Sequence, residues 1–206
     1  MNIRKTALRR GQTGQSLVET VLMLPLLLLV LLNAVNFGYF YLVALNLTSA
    51  SRTGALYAMI GSSTPAGTAL PPATGTSPST ASYLTYQDMT GALNAPGSAT
   101  IQICSAGLGV SGTGSSQTAQ CQTCTSSAAG SAFACGATGT GSPAPDSDPE
   151  APAFVLNRVD VTYAFTPLIP GTPFGLALLP LSACTASGAT VTCTFHRQVS
   201  MRAMGS

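Results

Sequence analysis

Six cysteines carry most of the side-chain chemistry in this sequence, and four of them lie near one another. Cys121 and Cys124 form a C-x-x-C pair between Cys104 and Cys135. Zinc would need four closely spaced ligands, and the sole histidine, His196, is distant in sequence. A thioredoxin-type dithiol would need a βαβ context, which is missing. We therefore predict structural disulfides, and the three possible pairings of four cysteines stay open.

The remaining cysteines, Cys184 and Cys193, flank a turn-like Ala-Ser-Gly-Ala segment, so a disulfide closing a hairpin is plausible. Each bridge would stabilise the fold by about 2–4 kcal/mol. His196 has no nucleophile beside it in any known motif, and neither a carboxylate pair nor a phosphate-binding loop stands out. The sequence therefore predicts neither catalysis nor a cofactor or metal, and His196 is expected to be an exposed strand residue.

A second chemically informative spacing joins Gly14 and Glu19 at the start of a long apolar run. A charged side chain in hydrocarbon costs about 3 kcal/mol, so Glu19 needs a reason to be there. One reason is a capping box, in which Ser16 and Glu19 satisfy amides at the start of a helix. The other is processing, because a glycine, four residues and a glutamate before an apolar helix resemble the prepilin-peptidase signal. That resemblance implies cleavage after Gly14, with Gln15 as the new N-terminus.

The apolar run itself predicts a membrane helix over residues 15–45. Residues 17–32 hold nine leucines, and a spanning helix needs about 20 apolar residues. Pro25 lies inside this run, where a proline removes a hydrogen bond and bends the helix; such a bend could serve packing against other helices. Four cations lie before the run, and the positive-inside bias then places the N-terminus in the cytoplasm: Arg4, Lys5, Arg9 and Arg10.

Charge is scarce everywhere else. Only 7% of residues are charged and the formal net charge is +2, whereas soluble domains carry about 25% charged residues. This composition argues against an ordinary cytosolic enzyme and against a nucleic-acid-binding protein.

The middle of the chain, residues 61–153, is rich in Gly, Ala, Ser, Thr and Pro. Apolar spacing predicts a short helix over residues 81–95 and a strand over residues 100–104. We expect the rest to be a long exposed excursion tied by disulfides. The acidic residues at 146–150 lack calcium-loop spacing and are expected to form a solvated linker.

The last part of the chain, residues 154–206, alternates apolar and polar residues over 158–165 and again over 190–201, as half-buried antiparallel strands do. Arg197 falls on the apolar face of the second strand, which suggests a sheet edge or the membrane surface. The apolar residues 173–181 could cover the sheet or touch lipid. The predicted fold is α+β: a leader at 1–14, a membrane and juxtamembrane helix at 15–60, and a small antiparallel-sheet domain outside the cytoplasm.

The start of the chain resembles TadE-like proteins, the pseudopilins of tight-adherence (Tad/Flp) pili. That family shows G-x-x-x-V-E-F-A-x-x-x-P-L-L-L, and Val18, Glu19 and Pro25 match, although Thr20 replaces the usual aromatic residue. Residues 50–58 are similar to the family element A-x-R-x-G-A-R-Y-A, with Leu56 in place of the second arginine. Resemblance is looser at 158–170 and 190–204.

The resemblance implies a pseudopilin or minor pilin of the bacterial inner membrane that acts in pilus assembly. The implied partners are a prepilin peptidase, other pilins or pseudopilins, the inner-membrane assembly platform and membrane lipid. Processing would place the free amine of Gln15 near Glu19 of a neighbouring helix. Two alternatives stay open: an uncleaved membrane-anchored assembly factor, and a membrane-anchored envelope redox protein that uses Cys121 and Cys124.

Overall fold

A long helix followed by an antiparallel sheet makes up the fold, as the sequence predicts. The computed structural model describes residues 12–59, 81–126, 133–169, 184–187 and 190–202. The helices and strands run in the order α1 (Gln12–Met59), α2 (Ala81–Thr90), β1 (Ala99–Ser111), β2 (Thr118–Ser126), β3 (Phe133–Cys135), β4 (Leu156–Phe165), β5 (Cys184–Ser187) and β6 (Thr190–Arg202).

The six strands form one sheet in the order β3-β2-β1-β4-β6-β5. Every neighbouring pair is antiparallel. Strands β1 and β4 occupy the centre, with β2 beside β1 and β6 beside β4. Ile101 lies opposite Val161, and Tyr163 lies opposite Phe195. Strands β1 to β3 come from residues 61–153, and strands β4 to β6 come from residues 154–206. The middle and the end of the chain therefore form one sheet and share one core.

Residues 105–126 were expected to form part of an exposed excursion, and that expectation is wrong. β1 extends to Ser111, and β2 pairs with it along most of its length. The small residues of β2 alternate between buried and partly exposed positions, with Ala119 and Cys121 almost fully buried. Hydropathy misses this strand because cysteine and small residues, rather than large aliphatic side chains, fill its inward positions.

The second half of α1 packs against one face of the sheet. Its buried positions recur every three or four residues, which places them on one side of the helix: Val43, Leu47, Ala50, Gly54 and Ala58. Facing them are the buried strand residues Ile101, Ile103, Val159, Val161, Tyr163 and Phe165. This face is the main hydrophobic core of the domain.

Asn157 on β4 ties the end of α1 to the sheet. Its Nδ2 donates to the carbonyl of Ala58 at 2.8 Å, and its Oδ1 accepts from the amide of Ala106 at 3.1 Å. The carbonyls of the last helical turn have no partner within the helix. Asn157 satisfies one of them, and because it is itself buried it fixes the end of α1 over the sheet.

Close packing between α1 and α2 depends on Gly54. A Cβ atom built at this position would overlap Thr85 Oγ1. The Thr85 hydroxyl donates to the carbonyl of Ala81 at 2.7 Å, which limits its freedom to rotate away. Gly54 belongs to the A-x-R-x-G-A element, so the structure gives that glycine a packing role.

Several predicted features lie outside the described residues. They are the four cations of the leader, the low-complexity stretch 61–80, the apolar segment 173–181 and the turn residues 188–189.

We expect Gly54→Ala to lower the free energy of unfolding by about 1–3 kcal/mol, because the new methyl group overfills the contact with Thr85. Urea denaturation in detergent, followed by tyrosine fluorescence, measures this. Gly38→Ala is the matched control, since a Cβ there meets nothing within 4 Å. Adding Thr85→Ala to Gly54→Ala should restore part of the loss, and equal stability of the two single glycine variants would contradict the packing role.

Candidate functional site

The first half of α1 projects from the domain with its apolar side chains uncovered. Leu22 is 72% exposed and Leu31 is 62% exposed. The sequence predicts a membrane helix over residues 15–45, but Asn36 and Val43 are buried against the domain, so the uncovered part ends at residue 35. Residues 14–35 number 22, which at about 1.5 Å per residue gives a rod of about 33 Å. That length matches the roughly 30 Å hydrocarbon core of a bilayer. Among the residues that the structure describes, one helix is thus long and apolar enough to cross a membrane, within Gly14–Met59.

Gly14, Gln15 and Glu19 all lie exposed near the free end of this rod. A side chain added at Gly14 would meet nothing within 4 Å. The peptide bond after Gly14 is therefore uncovered by the rest of the described fold, although it lies inside a helix that begins at Gln12.

The capping-box interpretation of Ser16 and Glu19 is wrong for the unprocessed chain. A capping residue lies at the helix boundary, but α1 begins four residues before Ser16. The carbonyl of Ser16 instead accepts a hydrogen bond from Thr20 Oγ1 at 2.9 Å inside the helix. Glu19 therefore has no capping duty in this chain.

Pro25 lies inside α1, and the helix is continuous through it. Because proline lacks an amide hydrogen, the carbonyl of Val21 loses its usual partner four residues on. In hydrocarbon, an unpaired carbonyl favours a donor from a neighbouring helix. A role for Pro25 in helix packing stays a prediction.

Asn36 marks the point at which the domain meets α1. It is 3% exposed, and its side chain forms two hydrogen bonds with the backbone of Ile169. Asn36 Nδ2 donates to the Ile169 carbonyl at 3.3 Å, and Asn36 Oδ1 accepts from the Ile169 amide at 3.1 Å. One turn further along, Phe40 packs against Phe165 and Phe195 at ring-centroid distances of 5.5 and 4.7 Å. Sequence reasoning missed Asn36, although an amide within an apolar run was a usable signal.

Asn94 connects the segment after α2 to the same end of the domain. Tyr163 donates its hydroxyl hydrogen to Asn94 Oδ1 at 2.6 Å, and Asn94 Nδ2 donates to the carbonyl of Thr166 at 2.9 Å. Burial raises the pKa of the Tyr163 hydroxyl, so Tyr163 remains a donor at neutral pH. The backbone N–H of Asn94 also donates to the Tyr39 hydroxyl at 2.8 Å, which links this hydrogen-bond network to α1.

All six cysteines form disulfides, as the sequence predicts. The bonds join Cys104 to Cys121, Cys124 to Cys135, and Cys184 to Cys193. Each bond links two residues that lie directly opposite each other on neighbouring antiparallel strands. The outer strands β2, β3 and β5 are thereby attached covalently, and the predicted hairpin disulfide is the one between β5 and β6.

The C-x-x-C pair is not a dithiol site in this fold. Residues three apart on a strand point to opposite faces of the sheet. Cys124 accordingly packs in the core under α1, whereas Cys121 lies in a second cluster with Cys104 and Ala119. Because Cys121 and Cys124 are bonded to different partners and are buried, the arrangement does not favour the redox alternative.

A buried ion pair lies on the sheet face opposite α1. Arg158 and Asp160 are 2% and 4% exposed, and Arg158 Nε lies 2.6 Å from Asp160 Oδ2. The guanidinium also donates to the carbonyls of Pro143 and Ala144. The strand over 158–165 was expected to be half-buried, but residues 143–144 cover this face too, so β4 is buried on both sides here.

His196 is exposed, as expected, but it has a specific partner. Its Nε2 lies 2.9 Å from Asp160 Oδ1, with the His196 side chain 44% exposed. Asp160 therefore bridges Arg158 and His196. The order Arg-Val-Asp places Arg158 and Asp160 on one strand face, and this was the signal available in the sequence.

The acidic stretch 146–150 is not simply a solvated linker. Asp148 is 1% exposed and lies 2.9 Å from Arg202 Nε at the end of β6. Arg202 Nη1 also lies 3.1 Å from Glu150 Oε1. The stretch therefore anchors the segment between β3 and β4 to the sheet. Within the described part of the chain, no three acidic, histidine or cysteine side chains gather as metal ligands would.

Arg197 lies near a sheet edge, as predicted. β5 pairs with β6 only over residues 190–193, so beyond them β6 has a described partner on one side only. The Arg197 guanidinium lies 5.9 Å from the ring centroid of Phe195, within cation–π range.

We expect Asp160→Ala to lower the free energy of unfolding by about 3–5 kcal/mol, because it leaves the buried Arg158 charge unpaired. His196→Gln should cost less than about 1 kcal/mol, since the exposed partner contributes little. Urea denaturation of the two variants in parallel tests this difference. Equal losses would show that the Arg158 pair is not the main contribution of Asp160.

Comparison with known proteins identifies one family. The family model described as TadE-like protein matches residues 14–56. Neither the curated proteins nor the solved structures include a significant match. The matched segment covers the bare apolar rod and most of the packed half of α1, and so includes Gly14, Glu19, Pro25 and Gly54. The resemblance read from the sequence is thus confirmed over residues 14–56, which are similar to TadE-like proteins.

Proposed function

We propose that this protein is a TadE-like pseudopilin or minor pilin that acts, without catalysis, in assembling a Tad/Flp-type pilus at the bacterial inner membrane. The observation that carries the proposal is the division of α1. A bare apolar rod over residues 14–35 leads into a half that packs on a disulfide-bonded sheet. The TadE-like match spans the point of division.

Residues 14–35 cross the inner membrane once in this proposal. The basic leader stays in the cytoplasm because of the positive-inside bias. The sheet domain then lies on the periplasmic or extracellular side. Three disulfides support this orientation, since such bonds persist in oxidising compartments.

A prepilin peptidase cuts after Gly14 on the cytoplasmic side and leaves Gln15 as the first residue. The open surroundings of Gly14 fit a bond that an enzyme must reach. After cleavage the helix keeps its full apolar length, so the protein stays anchored. Four cations and six acidic residues remain, and the formal charge changes from +2 to 4 − 6 = −2.

Assembly partners bind to the exposed apolar rod, residues 14–35. Glu19 is exposed at a position where hydrocarbon penalises a lone charge, and the N-terminal amine of a neighbouring processed pilin or pseudopilin would neutralise it. The carbonyl freed by Pro25 offers a second polar contact in the same segment. The inner-membrane assembly platform would receive the protein through this segment.

We expect Gly14→Val to block processing, because a branched side chain occupies the position before the cut. The measurement is the N-terminus of the membrane-extracted protein by intact mass and terminal peptide, in cells that express the matching prepilin peptidase. Wild-type protein should begin at Gln15, and the variant should keep its basic leader. Gly38→Val is the control, since this exposed glycine lies on the same helix in equally open space.

Any other N-terminus of the wild-type protein would support a different function. An intact leader in wild-type protein would support the uncleaved assembly factor and contradict the processing step. A start beyond residue 32 would mean that the apolar rod is removed, which would contradict both membrane-anchored roles.

A further inference from the structure

The three disulfides follow the order of the cysteines along the chain. The first cysteine pairs with the second, the third with the fourth, and the fifth with the sixth, at separations of 17, 11 and 9 residues. Each bond also lies between strands that are consecutive in sequence: β1 and β2, β2 and β3, β5 and β6. The two pairings of strands that are not consecutive in sequence, β1 with β4 and β4 with β6, carry no disulfide.

The finished fold hides most of these sulfur atoms. Cys104 and Cys124 are fully buried, and Cys121 and Cys193 are 3% and 2% exposed. Thiol–disulfide exchange needs direct attack of one sulfur on another. An oxidising protein therefore has to reach the cysteines before the sheet packs under α1 and residues 143–144 cover the other face.

We propose that this chain is a substrate of an envelope dithiol oxidase that pairs its cysteines in order of emergence, without correction by a disulfide isomerase. A cysteine thiolate attacks the disulfide of the oxidase and forms a mixed disulfide. The second cysteine thiolate then displaces the oxidase. The chain loses two protons and two electrons per bond, and the oxidase disulfide takes them up to become a dithiol.

Order of emergence is enough to select the observed pairing from the three that are possible for the first four cysteines. When Cys121 leaves the membrane, Cys104 is the one free thiol already outside. Cys121 is the first thiol to follow Cys104, so it resolves the mixed disulfide at Cys104 and is no longer available to Cys124. Cys124 then waits for Cys135. This inference requires translocation of the domain but is independent of pilus assembly.

The test is disulfide mapping of the full-length chain in bacteria that lack either the envelope dithiol oxidase or the disulfide isomerase. Thiols are trapped in acid and alkylated, and the linked peptides are identified by mass spectrometry, so the readout does not need a folded protein. We expect native pairing to fall at least about fivefold without the oxidase and to be unchanged without the isomerase. Scrambled pairing without the isomerase, or full pairing without the oxidase, would overturn the proposal.

A matched pair of variants separates order of emergence from selection by the final fold. Cys104→Ser leaves Cys121 without an earlier partner, so in isomerase-lacking cells it should bond to Cys124 and strand Cys135. Cys135→Ser removes one cysteine from the same group but should leave the bond between Cys104 and Cys121 intact. If Cys104→Ser retains the bond between Cys124 and Cys135 in those cells, the fold selects the pairs and the proposal is wrong.

Discussion

Helix α1 has to fit two environments, the proposed bilayer around its first half and the sheet domain around its second half. The rest of the structure depends on this constraint. From Val21 to Val35, α1 is predominantly apolar and largely uncovered. From Asn36 onward it presents a stripe of buried residues to the sheet and a different face outward. Because α1 is one continuous helix, its apolar first half and its packed second half follow each other directly along one axis. The domain therefore has to begin where the apolar rod ends. The two hydrogen bonds between Asn36 and the backbone of Ile169 fix that point.

The strands that α1 covers and the strands that it does not cover are stabilised in different ways. Strands β1, β4 and β6 lie under α1 and are held by apolar burial, with Val159, Val161 and Phe165 fully buried. The strands farther out are short or rich in small residues, and disulfides attach them to their neighbours. A composition so poor in large side chains gives little hydrophobic stabilisation at the edges. Cross-strand bonds supply what burial cannot.

Much of this architecture could be predicted from the sequence, since the apolar rod, the strands over 158–165 and 190–201 and the use of cysteines all have strong local patterns. The hairpin disulfide between Cys184 and Cys193 could be predicted from the turn-like segment that they flank. The partners of the first four cysteines could not be predicted, because their spacing alone allows three pairings. The double burial of β4 was also missed, since Pro143 and Ala144 cover Arg158 from a segment without periodicity. In the candidate site, the spacing of Gly14 and Glu19 was visible in the sequence, but the start of α1 before Ser16, which removes the capping explanation, was not.

In the proposed topology, the bilayer covers residues 14–35 and stops before the packed half of α1. The chain has no tryptophan, so a single introduced tryptophan reports its own depth without background. Leu24 and Leu45 are matched positions, 59% and 54% exposed on the same helix. In vesicles whose acyl chains carry bromine, we predict strong quenching of fluorescence for Leu24→Trp and little for Leu45→Trp. Equal quenching at the two positions, or stronger quenching at Leu45→Trp, would show that the bilayer does not end before the packed half of α1.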